Sequence, residues 1–169
     1  MSLASLCKES VYSRIFRDYS TTLFNYLYYK CGDESQAKDL TQEAFLKLWQ
    51  NCADVSESTA KGYVFKSANN QLLNIYEHNK VKLRYENLGH KDRMNENPEF
   101  LMEEKELKHQ IETAIANLPE KQRVVFLLSR IDKKTYKEIA EIIGISKQAV
   151  EKRIYKALDT LRQVNKNIK

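Results

Sequence analysis

Glycine and proline are scarce in this chain of 169 residues, which holds four of the first and two of the second. So few turn-formers cannot divide a chain into the many short strands of a sandwich or barrel, and long helices become the default. The glycines, Gly32, Gly62, Gly89 and Gly144, lie far apart, which excludes a Gly-rich loop able to cradle a nucleotide's phosphates. The three cysteines, Cys7, Cys31 and Cys52, form no CxxC pair, and His78, His90 and His109 show no HxxxH spacing, so no metal site or cofactor can be read. An odd cysteine count without a framework suits a reducing cytosol. Long apolar runs are missing too. The longest, residues 124–128, falls far short of the roughly 20 residues of a membrane span, and the first sixteen residues lack the sustained apolar stretch of a secretory signal. The expectation is an intracellular protein with no membrane insertion.

Charge is plentiful and unevenly placed. Residues 1–104 carry 13 Lys and Arg against 15 Asp and Glu, whereas residues 105–169 carry 15 against 8. The basic last third points to a polyanionic partner.

Apolar periodicity supplies the elements. Ala37, Leu40, Thr41, Ala44, Phe45 and Leu48 recur at helical spacing, and Asp33 with Gln36 opens that helix, predicted over about 34–51. An earlier helix over about 8–30 places Ile15, Phe16, Tyr19, Leu23, Phe24 and Leu27 on one side. A third, from near Thr59, carries Val64, Ala68, Leu72 and Ile75. Residues 86–98 have no apolar period and read as a flexible linker. Asn97 and Pro98 then start a further helix, and Pro119 the next, whose run of Val124, Val125, Phe126, Leu127 and Leu128 marks it as central to a second core. The fold class expected is all-α: two small helical domains, residues 1–86 and 99–169, joined by a linker over 87–98.

The basic third holds the sharpest motif. Thr135 with Glu138 forms a capping box, Ile139, Ala140 and Ile143 face inward, Gly144 suits a left-handed turn, and Ser146 caps a following helix. This order of cap, small residue, glycine and cap reads as a helix-turn-helix. In its second helix Val150, Ile154, Ala157, Leu158 and Leu161 share one face. Lys147, Gln148, Glu151, Lys152, Tyr155 and Lys156 share the other, a set able to read base edges and phosphates in a major groove.

Residues 118–130, LPEKQRVVFLLSR, followed by 135–162, resemble region four of the extracytoplasmic-function group of bacterial sigma factors. Residues 39–49, DLTQEAFLKLW, resemble region two of the same group. The resemblance implies an RNA polymerase sigma factor that directs promoter recognition and transcription initiation, without catalytic residues or a small-molecule substrate of its own. It implies core RNA polymerase and promoter DNA as partners, an anti-sigma factor as inhibitor, and a cytoplasmic location. By the same resemblance Asp39, Gln42, Glu43, Leu46 and Trp49 dock on polymerase. Lys61, Tyr63, Phe65, Lys66, Asn70 and Tyr76 handle the minus-ten element, with Tyr63, Phe65 and Tyr76 offering aromatic faces to unstacked bases, Lys80, Lys82 and Arg84 as further cations, and residues 51–59 matching the loop that pockets a flipped base; by helical spacing alone Phe65 equally fits the core. Ser146, Lys147, Gln148, Glu151, Lys152, Tyr155 and Lys156 face the minus-thirty-five element. Two positions depart from the family pattern: Asn74 stands where aspartate is common and Glu77 where a basic residue is common.

Two other readings compete. A stand-alone DNA-binding regulator would share the helix-turn-helix but not residues 39–49, and would need a dimer seam or sensor domain that the sequence does not show. A hydrolase built on Asp39 and Glu43, at i and i+4, lacks accompanying pocket residues.

Overall fold

The computed structural model describes residues 6–86 and 102–166, and the side chains of 6–77 and 109–163. The linker expected over 87–98 lies outside the described residues, as do the side chains of Lys80, Lys82 and Arg84. Seven helices are described and no strand: α1 (Glu9–Cys31), α2 (Glu34–Gln50), α3 (Glu57–Glu86), α4 (Met102–Ala116), α5 (Glu120–Arg130), α6 (Tyr136–Ile143) and α7 (Lys147–Lys166).

Local chemistry sets the boundaries of the first three. α1 stops at Gly32, which takes φ 71° so that its N–H reaches the Tyr28 carbonyl at 2.8 Å. Asp33 immediately opens α2, its carboxylate accepting from the Gln36 N–H at 2.9 Å. The stripe read from the sequence is the one buried: Ala37, Leu40, Thr41, Ala44, Phe45 and Leu48 all face the core. The Thr41 hydroxyl stays satisfied there by donating to the Ala37 carbonyl at 2.7 Å. α3 starts two residues earlier than the Thr59 expected, and its Val64, Ala68 and Leu72 are fully buried. Each large apolar side chain so placed contributes about 1.5–3 kcal/mol. On α1, Ile15, Leu23 and Leu27 are buried as expected, but Phe16 is exposed.

The later helices follow the turn signals. α5 buries Val124, Val125 and Leu128 and packs against α7, α6 and α1. The Thr135 hydroxyl accepts from the Glu138 N–H while the Glu138 carboxylate accepts from the Thr135 N–H at 2.8 Å, closing the capping box of α6. The Thr135 hydroxyl also donates to the Glu138 carboxylate at 2.7 Å, and this bond, then the one from the Thr135 N–H, holds that carboxyl below its usual range. Gly144 at φ 75° ends α6, and the Ser146 hydroxyl accepts from the Ala149 N–H at 3.2 Å to open α7. α6 buries Ile142 rather than Ile143, which is half-buried. The α6–α7 pair is a helix-turn-helix.

The two helical groups do not stand apart. Their buried apolar residues join into one cluster, with α1 against α5 and α3 against α6. Polar groups clamp the contact. The Arg123 guanidinium of α5 donates to the Tyr29 carbonyl at 3.0 Å and the Lys30 carbonyl at 3.3 Å, and also to those of Ala116 and Leu118. Asp132 accepts from the Tyr29 hydroxyl at 2.8 Å and the Asn25 amide at 3.1 Å. Burial first, then this carboxylate, pushes the Tyr29 phenol well above its usual range. Arg123→Leu removes the donor from all four carbonyls and should lower unfolding free energy by about 1.5–3 kcal/mol, the range for bonds to a charged group. Denaturant titration measures that loss, and small-angle scattering should show a larger radius of gyration. Unchanged values on both would show that Arg123 is not what joins the two groups.

Candidate functional site

Three outward faces collect the residues singled out in the sequence. The first is on α2, where Asp39, Gln42, Glu43, Leu46 and Trp49 all point away from the core along one stripe. Leu46 is 53% exposed and Trp49 41%. Trp49 is nonetheless anchored on one side. Its ring meets Tyr12 edge-on at 5.0 Å, and the Tyr12 hydroxyl donates to the Phe45 carbonyl at 2.9 Å. This aromatic is therefore already oriented, which lowers the ordering cost of contacting a partner. Glu43 and Lys47 pair at 3.0 Å, a surface contact of little energetic consequence. Phe16 of α1 lies 4.8 Å from Phe45, exposed. The sequence pattern assigned it to the buried side, because position 16 falls next to the true stripe of Ile15, Leu23 and Leu27.

The second face is on α3, and here the expected residues part company. Lys66 and Asn70 are exposed one turn apart, and Tyr63 is half-buried on the same side. Leu73, which the sequence reading passed over, is exposed one turn further on. Asn74 and Glu77 are exposed as well. Phe65 is not on this face. Only 4% exposed and 5.7 Å from the Tyr26 ring, it belongs to the core, which corrects its assignment as a stacking platform for a base. Neighbouring Asn69 is likewise internal, accepting from the Tyr26 hydroxyl at 3.1 Å and from the Lys30 ammonium. Tyr76 donates to the Lys30 carbonyl at 3.3 Å, and burial, then the Glu120 charge, pushes its phenol up to about 12. Lys61 turns towards the other helical group, pairing with Glu141 of α6 at 3.0 Å and lying over the Tyr19 ring.

The α2–α3 joint is a compact turn in which the Asp54 and Val55 N–H groups both donate to the Asn51 carbonyl. Cys52 in this joint is disulfide-bonded to Cys7, with the Cα atoms 5.0 Å apart. That overturns the reading of three cysteines without a framework; only Cys31 is a free thiol. A separation of 45 residues gave no spacing signal for the pair.

The third face is the outer side of α7. Lys147, Gln148, Glu151, Lys152, Tyr155 and Lys156 are all exposed, Tyr155 by 69%. Ser146 is occupied as the helix cap. Lys147 and Glu151 approach to 3.6 Å, a weak exposed pair that leaves the lysine available to an anion. Buried Val150, Ile154 and Ala157 fix the helix from behind. Among the described residues no helix is long and apolar enough to cross a membrane.

An uncovered, pre-oriented aromatic on α2 and a helix-turn-helix with a cationic outer face define an all-helical protein with two exposed faces of different chemistry. Residues 15–81 match the family Sigma-70 region 2, and residues 108–161 match Sigma-70, region 4. The chain is 27% identical over 169 residues to the ECF RNA polymerase sigma factor SigW of Bacillus subtilis, covering 92% of this chain and 89% of that one. It is 24% identical over 155 residues to SigE of Mycolicibacterium smegmatis, covering 89% of this chain but 60% of that protein's length. Its fold superposes with a TM-score of 0.61 on the sigma factor RpoE of Bartonella quintana, solved in complex with the anti-sigma factor NepR, at 14% identity over 91% of this chain and 96% of that one. The chain belongs to the sigma-70 family, in its extracytoplasmic-function group of RNA polymerase sigma factors.

Because Phe65 is core, Phe65→Ala should lower unfolding free energy by about 3–5 kcal/mol. Thermal or denaturant unfolding checks this, and a loss of DNA binding with undiminished stability would restore the base-stacking role instead.

Proposed function

We propose that this sigma factor binds core RNA polymerase through the α2 face, captures the minus-ten element with α3 and the α2–α3 joint, and reads the minus-thirty-five element with α7. It carries no catalytic chemistry, acts in the cytoplasm and is held inactive by an anti-sigma factor, as its structural neighbour RpoE is bound by one. The observation that carries the reading is the pairing, in one chain, of the uncovered Leu46 and Trp49 stripe with a capped helix-turn-helix whose outer side is cationic. Strand capture falls to Tyr63, Lys66 and Asn70, with Lys61 once it leaves Glu141. Aromatic stacking offsets about 1–3 kcal/mol per unstacked base, so Tyr63 is the side chain most worth uncovering. Residues 1–86 and 99–169 act as the two functional units, joined by 87–98.

Distance decides how the two units must work. Elements 25 positions apart lie roughly 85 Å apart along a duplex that rises 3.4 Å per base pair. A single globule of this length has a radius of gyration near 15 Å, so a diameter of about 40 Å. The packed arrangement cannot span both elements, and the Arg123 and Asp132 contacts must break when both are engaged. Adding the purified chain to sigma-free core polymerase with a promoter library tests the function: initiation from a defined subset of promoters is expected, and binding to DNA without initiation would point to a regulator.

Trp49→Ala should weaken core-polymerase binding at least tenfold while leaving helix content unchanged, since truncation of an aromatic anchor typically costs about 2 kcal/mol or more. Equilibrium binding with circular dichroism on the same sample measures both; a folded variant with undiminished affinity would remove this face from the interface.

On α7, substituting a base-reading residue should cost about 1–3 kcal/mol and relax preference at one base pair, whereas losing a phosphate-contacting lysine weakens all sequences alike. Promoter selection with Gln148→Ala and Glu151→Ala should therefore each relax a single position. Identical selected profiles for wild type and both variants would mean that α7 presents a different side to the groove.

A further inference from the structure

The structure assigns Cys7 and Cys52 as a thiol–disulfide exchange site whose reaction partner is a small-molecule disulfide such as oxidised glutathione, and whose product is an ordered α2–α3 joint. The geometry is specific. Leu6 is 1% exposed and part of the core cluster, so the segment carrying Cys7 is docked on the bundle beside the joint. Cys52 sits half-buried in the turn whose Asp54 and Val55 N–H groups close onto the Asn51 carbonyl, one residue from the sulfur-bearing position. The bond therefore ties the start of the chain to the tip of the α2–α3 connection, across 45 residues of sequence. Cys31, the remaining cysteine, is at the far end of α1 beside Asp33 and takes no part.

A protein working beside polymerase and DNA works where thiols are kept reduced, and a disulfide formed there is transient and responsive rather than a permanent staple. The exchange balances without any metal or enzyme cofactor. The thiolate of one cysteine attacks a sulfur of oxidised glutathione, forming a mixed disulfide and releasing one glutathione. The second thiolate attacks the protein sulfur of that mixed disulfide, closing the Cys7–Cys52 bond and releasing the other glutathione. Two protein thiols lose two electrons, one external disulfide gains them, and the two thiol protons pass to the two glutathione molecules. Reduction runs the same steps in reverse.

The consequence for DNA rests on the proposed role of the joint in holding a minus-ten base. With the bond closed, the turn is ordered before DNA arrives; with it open, that ordering must be supplied on binding, which lowers affinity.

The test uses the full chain in glutathione buffers of defined ratio. Thiol trapping and intact mass should show Cys7 and Cys52 interconverting between dithiol and disulfide while Cys31 stays trappable throughout. Amide exchange over residues 51–56 should be faster in the reduced form. Holoenzyme assembled with core polymerase should bind a single-stranded minus-ten oligonucleotide about fivefold more weakly when reduced, the size expected when one side chain's worth of ordering has to be supplied on binding. Cys7→Ser should keep the amide exchange over residues 51–56 and the oligonucleotide affinity of the reduced wild type in every buffer, carrying at most a mixed disulfide with glutathione at Cys52, and Cys31→Ser should behave as wild type. A pair that never forms, or one whose formation leaves exchange over residues 51–56 unchanged, overturns the site. Altered exchange with oligonucleotide binding that depends on Lys66 and Asn70 but ignores redox state overturns the coupling and leaves the minus-ten reading standing. Altered exchange with no oligonucleotide binding in either state instead overturns the minus-ten reading, while the exchange site stands.

Discussion

The C-terminal end of α1 leaves carbonyl oxygens without helical partners, and the Arg123 guanidinium, arriving from α5, donates to those of Tyr29 and Lys30. A cation at this end also meets the negative pole of the helix dipole. One turn away Asp132 receives the Tyr29 hydroxyl and the Asn25 amide, so α1 is gripped by one charge of each sign from the other half of the chain. The apolar cluster continues across the contact, which shields these part-buried bonds from some of the competing water.

Magnitudes decide whether such a clamp is permanent. Arg123 and Asp132, each hydrogen-bonded as a charged group, contribute about 1.5–3 kcal/mol apiece, but the second oxygen of Asp132 is buried without a hydrogen-bond partner, a cost of about 1–3 kcal/mol. The Lys61–Glu141 pair is partly exposed, where ion pairs contribute about 1 kcal/mol at most. The polar bonds together hold the contact by a few kcal/mol. A nanomolar partner would supply about 12 kcal/mol, more than these polar bonds provide. Opening would free Lys61 at the moment DNA becomes available.

What was legible in the sequence was local. The α2 stripe follows from helical period alone, and Thr135, Gly144 and Ser146 declare the helix-turn-helix because each acts on backbone within three or four residues. The outer face of α7 follows once its buried side is known. Arg123 was invisible, since its carbonyl partners lie 93 and 94 residues away and every residue has a carbonyl. Phe65 is ambiguous in the sequence for a related reason: its spacing fits either side of α3 until Tyr26 of α1 claims it. Phe16 was lost to the opposite error, one position from a true stripe.

The central claim is that the same chain is closed when free and extended when it works. Labels attached without cysteine chemistry at the exposed positions Ser35 on α2 and Arg162 on α7 report this directly by energy transfer. The free chain should give one short distance, within the roughly 40 Å of a single globule, and the polymerase–promoter complex a distance tens of ångströms longer. An equal distance in both states would contradict the account.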